Sequence, residues 1–169
     1  MVRGERPKRQ EWEAQYVSAY VAAKYPGQSV RIHAHLGTPP RSPDGQFLEP
    51  AEERLLRVFM RWADAIVFLP EETIVIEGKL RASEYLKGLG ELELYLELLK
   101  NSPEYAALIA PRLVGELLVP IEDPTVTVLA RRKGFRVVVW APAWLKGYLD
   151  NLDPRKARAT RPEESGLLE

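Results

Sequence analysis

Arg61 to Leu80 reads RWADAIVFLPEETIVIEGKL, and this stretch decides the fold. Arg61–Leu69 and Thr73–Leu80 are rich in β-branched and aromatic residues. Pro70-Glu71-Glu72 separates them, which predicts an antiparallel hairpin. In the second run Thr73, Val75, Glu77 and Lys79 share one face, and Ile74, Ile76, Gly78 and Leu80 the other. Both faces are largely apolar, so a central strand covered on both sides is expected. Glu77 and Lys79 at its far end do not suit such a strand, and neither does Asp64 among the apolar residues of the first run. Buried charges need partners or a metal, because leaving them unpaired is costly.

The register of the hairpin decides whether the three meet. With Phe68 opposite Thr73, Asp64 faces Glu77; with Leu69 opposite Ile74, it faces Lys79. With Leu69 opposite Thr73, Asp64 faces Gly78 and turns away. If they meet, two carboxylates and a lysine suit a hard cation such as Mg²⁺ or Mn²⁺. Asp64, Glu77 and the Gly78 backbone carbonyl would supply its oxygens. Lys79 would orient or deprotonate a water, or neutralise a phosphate. The implied chemistry is metal-assisted hydrolysis of a phosphodiester.

Outward from the hairpin, the pattern predicts a helix over Gln10–Tyr25, ended by Pro26-Gly27, and a strand over Ser29–Leu36. In that strand Val30, Ile32, Ala34 and Leu36 fall on one side, and Arg31, His33 and His35 on the other. Gly37–Phe47 reads as a loop and Glu49–Phe59 as a short helix. After the hairpin, Ser83 is expected to cap a helix running to about Leu99, in which Gly88 and Gly90 permit close packing on the sheet. Pro103–Ala110 reads as a short helix, and Arg112–Ile121 as a strand. Asp123-Pro124 starts a helix ended by Gly134, Phe135–Trp140 is a strand, and Ala143–Leu152 a last helix. The expected fold is α/β: a single mixed β-sheet flanked by helices. Residues 1–9 read as a flexible basic N-terminus, 10–152 as the domain, and 153–169 as a disordered tail.

Composition narrows the function classes. The chain has 169 residues, 24 basic and 24 acidic groups, and no cysteine. Disulfide scaffolds and cysteine-ligated metal centres are thereby excluded. The N-terminus lacks an apolar signal segment and no run approaches a membrane span, so no membrane partner and a cytoplasmic location are expected. Two Asn, four Gln and 14 Pro fit a thermophile, or equally a mesophile with a G/C-rich genome.

Asp64, then Glu77-Gly78-Lys79, then a helix, resembles the PD-(D/E)XK nuclease superfamily. Its members include RecB-type nucleases, Holliday-junction resolvases and restriction endonucleases. The resemblance covers roughly residues 10–140. It implies a restriction-endonuclease-like αβββαβ core, here with an added αβ unit. It also implies a Mg²⁺-dependent deoxyribonuclease whose catalytic residues fall on Asp64, Glu77 and Lys79. Ala63 stands where the first proline of the motif's name would be. Members often carry a glutamate on the first helix, for which Glu13 and Glu11 are candidates. They also carry a Gln or Tyr on the helix after the hairpin. Here Glu91 replaces the usual Gln, and Tyr95 follows one turn later. DNA is the implied partner. A homodimer, DNA-processing partners and a phage origin with a virion location are compatible with the resemblance. So is a catalytically inactive nuclease fold serving as a structural or assembly module.

Each candidate has a plain alternative. Glu77 and Lys79 can form a simple salt bridge at a strand end, and Asp64 can accept backbone hydrogen bonds near a turn. Arg61 and Arg81 flank the site as phosphate contacts or as solvated arginines. His33 and His35 read as solvent-facing, Glu91, Glu93 and Glu97 as a helix face, and Trp12, Trp62, Trp140 and Trp144 as core. The Arg131-Arg132-Lys133 run suits the end of its helix without any ligand. The zero net charge conceals a pattern: residues 34–130 carry nine basic and sixteen acidic groups, while basic segments lie on either side in sequence.

Overall fold

The computed structural model describes residues 9–37 and 61–152. The loop and short helix expected within 38–60, the tail from 153 and all but one residue of the N-terminal segment lie outside the described residues. Helix α1 (Arg9–Lys24) buries Tyr16, Val17, Tyr20 and Val21, whose spacing keeps them on one face. It gives way to a turn in which Gly27 takes φ 73°, a left-handed conformation that glycine adopts without a Cβ penalty. Strands β1 (Ser29–Leu36), β2 (Arg61–Phe68) and β3 (Glu72–Gly78) form an antiparallel meander. Helix α2 (Tyr85–Lys100) then leads to β4 (Arg112–Val119), parallel to β3. Helix α3 (Pro124–Arg132) leads to β5 (Arg136–Val139), parallel to β4, and α4 (Leu145–Leu152) closes the described chain. The result is one mixed sheet in the order β1-β2-β3-β4-β5, with helices on both faces.

The two layers have separate cores. On one face Leu89, Leu92, Tyr95 and Leu99 of α2, with Val126 and Ala130 of α3, pack on Ile66, Val75 and Leu117. On the other, Tyr16, Val17, Tyr20 and Val21 of α1 and Leu145 of α4 pack on Val67, Ile74, Ile76 and Leu118. β3 lies between these layers with every residue from Thr73 to Gly78 buried, as its two apolar faces require.

Local chemistry sets most boundaries. Asp123 Oδ1 accepts the amides of Thr125 and Val126 at 3.0 and 3.2 Å, capping α3 ahead of Pro124. Three local expectations are corrected. Ser83 does not cap α2: it lies in a 3₁₀ turn, Ala82–Glu84, and α2 starts after Glu84 with no side-chain cap bond. The helix expected over Pro103–Ala110 is a single 3₁₀ turn, Pro103–Tyr105. Pro111 disfavours helical backbone at Ala110, and the Ala110 amide is taken by Thr73 Oγ1 at 2.9 Å.

The third correction concerns β1. His33 has φ 50°, and the alternation breaks there. Val30 packs in the α1 layer, whereas Ala34 and Leu36 pack in the α2 layer. β2 switches in step: Ala65 belongs to the α1 layer, and Ala63, two residues away, to the α2 layer. The switch in β2 falls at Asp64. Among the described residues no helix is long and apolar enough to cross a membrane.

Candidate active site

The β2–β3 register places Phe68 opposite Thr73 and Ala65 opposite Ile76. One more step sets Asp64 across from Glu77, as the first of the three registers requires. The ladder opens at that point. The Gly78 amide donates to Asp64 Oδ2 at 2.8 Å, so a carboxylate takes the place of a strand carbonyl. Gly78 tolerates no side chain, because a Cβ there would run into Val17 of α1.

Lys79 follows the end of β3 and its amide donates to the Leu118 carbonyl at 3.0 Å, which holds it beside β4. Its ammonium donates to Glu77 Oε1 at 2.6 Å. On its other side it pairs with Glu91 Oε2 of α2 at 2.7 Å. Gly88, one turn before Glu91, allows this approach. A Cβ at Gly88 would lie 2.7 Å from Leu117 Cδ1 and 3.1 Å from Lys79 Cγ. Gly90 has open space at the same position, so only one of the two expected close-packing glycines serves that purpose. Glu77 is 4% and Lys79 7% exposed, so this is no solvated salt bridge.

Glu77 Oε2 is buried with no donor group aimed at it among the described residues, and the Glu77 carboxyl lies close enough to Glu91 for the two acids to share a hydrogen bond when one is protonated. Burial, then the neighbouring Asp64 charge, pushes the Glu77 carboxyl well above the usual carboxylate range. Burial likewise raises Asp64, to about 6, against the opposing Gly78 hydrogen bond and Lys79 charge; Glu13 and Glu91 add to the rise. Burial disfavours charge on Lys79, but its pairing with Glu77 and Glu91 outweighs that and holds it above the ordinary lysine value. Burial opposes charge on Glu91 as well, yet Lys79 and Glu77 bring it below the ordinary glutamate value. Tyr95, one turn beyond Glu91, is raised by burial and then by Glu77, Glu91 and Asp64.

The structure therefore assembles Asp64, Glu77, Lys79 and Glu91, with Tyr95 and Glu13 within electrostatic reach. Arg61 and Arg81 are exposed, and no ion pair ties either to this cluster among the described residues. Glu93 and Glu97 are on the exposed face of α2, where they pair with Lys133 and Lys100. His33 stacks on Trp62 instead of joining the site. Trp62 is 36% and Trp144 38% exposed, which corrects the expectation that all four tryptophans are core.

The donor set fits a hard divalent cation. Two buried carboxyls with raised pKa values sit where ionisation is disfavoured, and a bound cation would offset that cost. Asp64, Glu77 and the Gly78 carbonyl are the groups that would hold it. Once bound, it would polarise a phosphoryl oxygen and acidify a water. Among the described residues no group of three or more His, Cys, Asp or Glu is gathered as a metal cage. Mg²⁺ commonly uses one or two carboxylates and leaves other positions to water and phosphate.

A buried acid that sequence reasoning passed over sits on β4. Glu116 is 2% exposed and accepts from Tyr20 Oη at 2.7 Å and Tyr25 Oη at 3.3 Å. Its signal was available: one acid inside the apolar run RLVGELLVPI.

No known protein family matches this chain, and no curated protein matches it either. A solved structure titled "Crystal Structure of Protein of Unknown Function AF1548" is similar at a TM-score of 0.44 and 8% identity. That likeness covers 93% of this chain and 72% of the other.

Proposed function

We propose that this protein is a metal-dependent nuclease of the PD-(D/E)XK type that hydrolyses phosphodiester bonds in DNA. The observation that carries the reading is the fork between β2 and β3. Asp64 is in register with Glu77 there, Glu77 is paired with Lys79, and the Glu77 and Glu91 carboxyls crowd against each other around that lysine. The element order αβββαβ with an appended αβ unit supports it further. In this reading Asp64 and Glu77 hold the cation. Lys79 keeps its proton and places a positive charge beside the attacked phosphate and the incoming water. Glu91 fixes the Lys79 ammonium, and Glu13 adds an outer carboxylate.

The decisive experiment incubates the purified protein with single-stranded, duplex and branched DNA plus Mg²⁺ or Mn²⁺. Cleavage that is lost with chelator and with Lys79→Ala is the expected result. No cleavage of any of these substrates with either metal sinks the reading.

One observation favours a second reading, a catalytically inactive nuclease fold acting as a structural or assembly module. Lys79 is engaged on both sides by carboxylates, which gives the cluster a partnered core without a substrate. In that case a divalent cation leaves the unfolding midpoint unchanged, and DNA is neither bound nor cut.

A further inference from the structure

The α1 side of the β1–β2 edge carries an exposed ring stack that the site above does not use. His33 and Trp62 lie parallel, with ring centroids 4.6 Å apart and planes 6° apart. His35 meets the same indole edge-on at 5.0 Å. Trp62 is 36% exposed, neighbouring Ile32 is 45% exposed, and His33 is an exposed residue. β1 is the first strand in the sheet order, so no further strand covers this edge among the described residues.

The stack is built at a conformational cost. His33 holds φ 50°, a left-handed backbone that costs a side-chain-bearing residue energy unless its surroundings impose it. That turn is also where β1 changes layers, so the strand is bent at the residue whose ring is stacked. The stacked pair is exposed to water, with Trp62 more than a third exposed.

Position gives the stack a meaning. Trp62 precedes Asp64 by two residues on β2, about 7 Å along a strand. The β1–β2 register sets Ile32 opposite Ala65 and Ala34 opposite Ala63, so His33 stands across from Asp64. A flat aromatic face beside a phosphodiester-cutting centre matches a nucleotide whose base is free to stack. A paired base in a duplex has both faces occupied by its neighbours and cannot use such a platform without leaving the stack.

We infer that His33 and Trp62 form a stacking subsite for an unpaired base of a single DNA strand, on the α1 side of the sheet beside Asp64, where β2 changes layers. The inference rests on the nuclease reading for its substrate, and it names that substrate as single-stranded at the site of attack.

The test measures binding apart from cleavage. A fluorescently labelled single-stranded oligodeoxynucleotide is titrated with protein in chelator, and anisotropy is read. The same is done with a blunt duplex and with an oligonucleotide carrying a run of abasic sites. Trp62→Ala is expected to weaken single-strand binding about tenfold, equivalent to ~1.4 kcal/mol. Trp62→Phe should keep most of the affinity, which guards against a folding defect, and His33→Ala should lose an intermediate amount. The abasic strand should bind the wild type no better than the intact strand binds Trp62→Ala. Equal single-strand affinity for wild type, Trp62→Ala and His33→Ala overturns the inference, and so does full affinity for the abasic strand. Cleavage that persists while these variants bind normally removes the subsite and leaves the nuclease reading intact. Stacking-dependent binding without cleavage under any metal keeps the subsite and removes the catalytic reading.

Discussion

Two buried glutamates on adjacent strands have opposite surroundings. Glu116 on β4 faces the α1 layer, and both its oxygens accept from tyrosine hydroxyls. Glu77 on β3 faces α2, pairs one oxygen with Lys79, and has two further acids, Asp64 and Glu91, as neighbours. Burial raises the pKa of both. For Glu116 the tyrosines and Arg136 oppose that rise; for Glu77 the adjacent Asp64 adds to it. A satisfied buried acid ties α1 to the sheet. One crowded by other acids is a place where a cation gains most by binding.

The contrast breaks most readily on activity. Lys79→Ala, Asp64→Asn or Glu77→Gln is expected to cut DNA cleavage by about 10²–10⁴-fold. Tyr20→Phe, in the other cluster, should leave the cleavage rate within about twofold of wild type if the two clusters are independent. A gel assay under single-turnover conditions reads both.

Stability should respond in the reverse order. Glu116→Ala leaves two tyrosine hydroxyls and a cavity, at an expected cost of about 2–4 kcal/mol in urea unfolding. Tyr20→Phe strands one Glu116 oxygen and should cost about 1–3 kcal/mol. Glu77→Gln replaces a carboxyl whose ionisation burial disfavours, so it should hold the unfolding midpoint near neutral pH and raise it at alkaline pH, as expected where function is held at the expense of stability.

Linkage sharpens this further. A carboxyl whose folded pKa lies above its unfolded value releases its proton more readily on unfolding, so it favours the folded state at low pH. That advantage is lost as pH rises through the folded value. Asp64, at about 6, and Glu77, raised beyond the usual range, should make wild-type stability fall between pH 5 and pH 9. Asp64→Asn and Glu77→Gln should flatten the fall, and millimolar Mg²⁺ should raise the wild-type midpoint but not theirs. Thermal scans across pH with and without Mg²⁺ separate these outcomes.

The smallest effect concerns the glycines that set the helix above Lys79. Gly90→Ala meets open space and should stabilise by up to about 1 kcal/mol. Gly88→Ala must displace Leu117 and the Lys79 stem, so it should gain less or lose, and should slow cleavage more than Gly90→Ala does.

Much of this was legible in the residues. The apolar faces of β2 and β3, the proline between them and the helix starts each follow local rules, so most elements fall where periodicity puts them. Charges stranded in an apolar hairpin marked Asp64, Glu77 and Lys79. What escaped was non-local. Nothing near His33 announces a left-handed residue, since that conformation falls where the β1–β2 pairing skips a residue and the strand changes layers. Glu116 looked ordinary because its partners lie 96 and 91 residues away.

The chain's own residues, then, determined the α/β layout and the hairpin, because alternation, proline and capping act over a few residues. They also narrowed the site to three charged side chains, since a charge in an apolar strand is anomalous whatever surrounds it. Only the tertiary structure chose among the three registers, joined Glu91 to Lys79 across Gly88, and exposed Trp62. Those outcomes depend on which surfaces meet when α2 and α1 pack on opposite faces of the sheet. Contact between elements distant in sequence is decided by the packing of the whole.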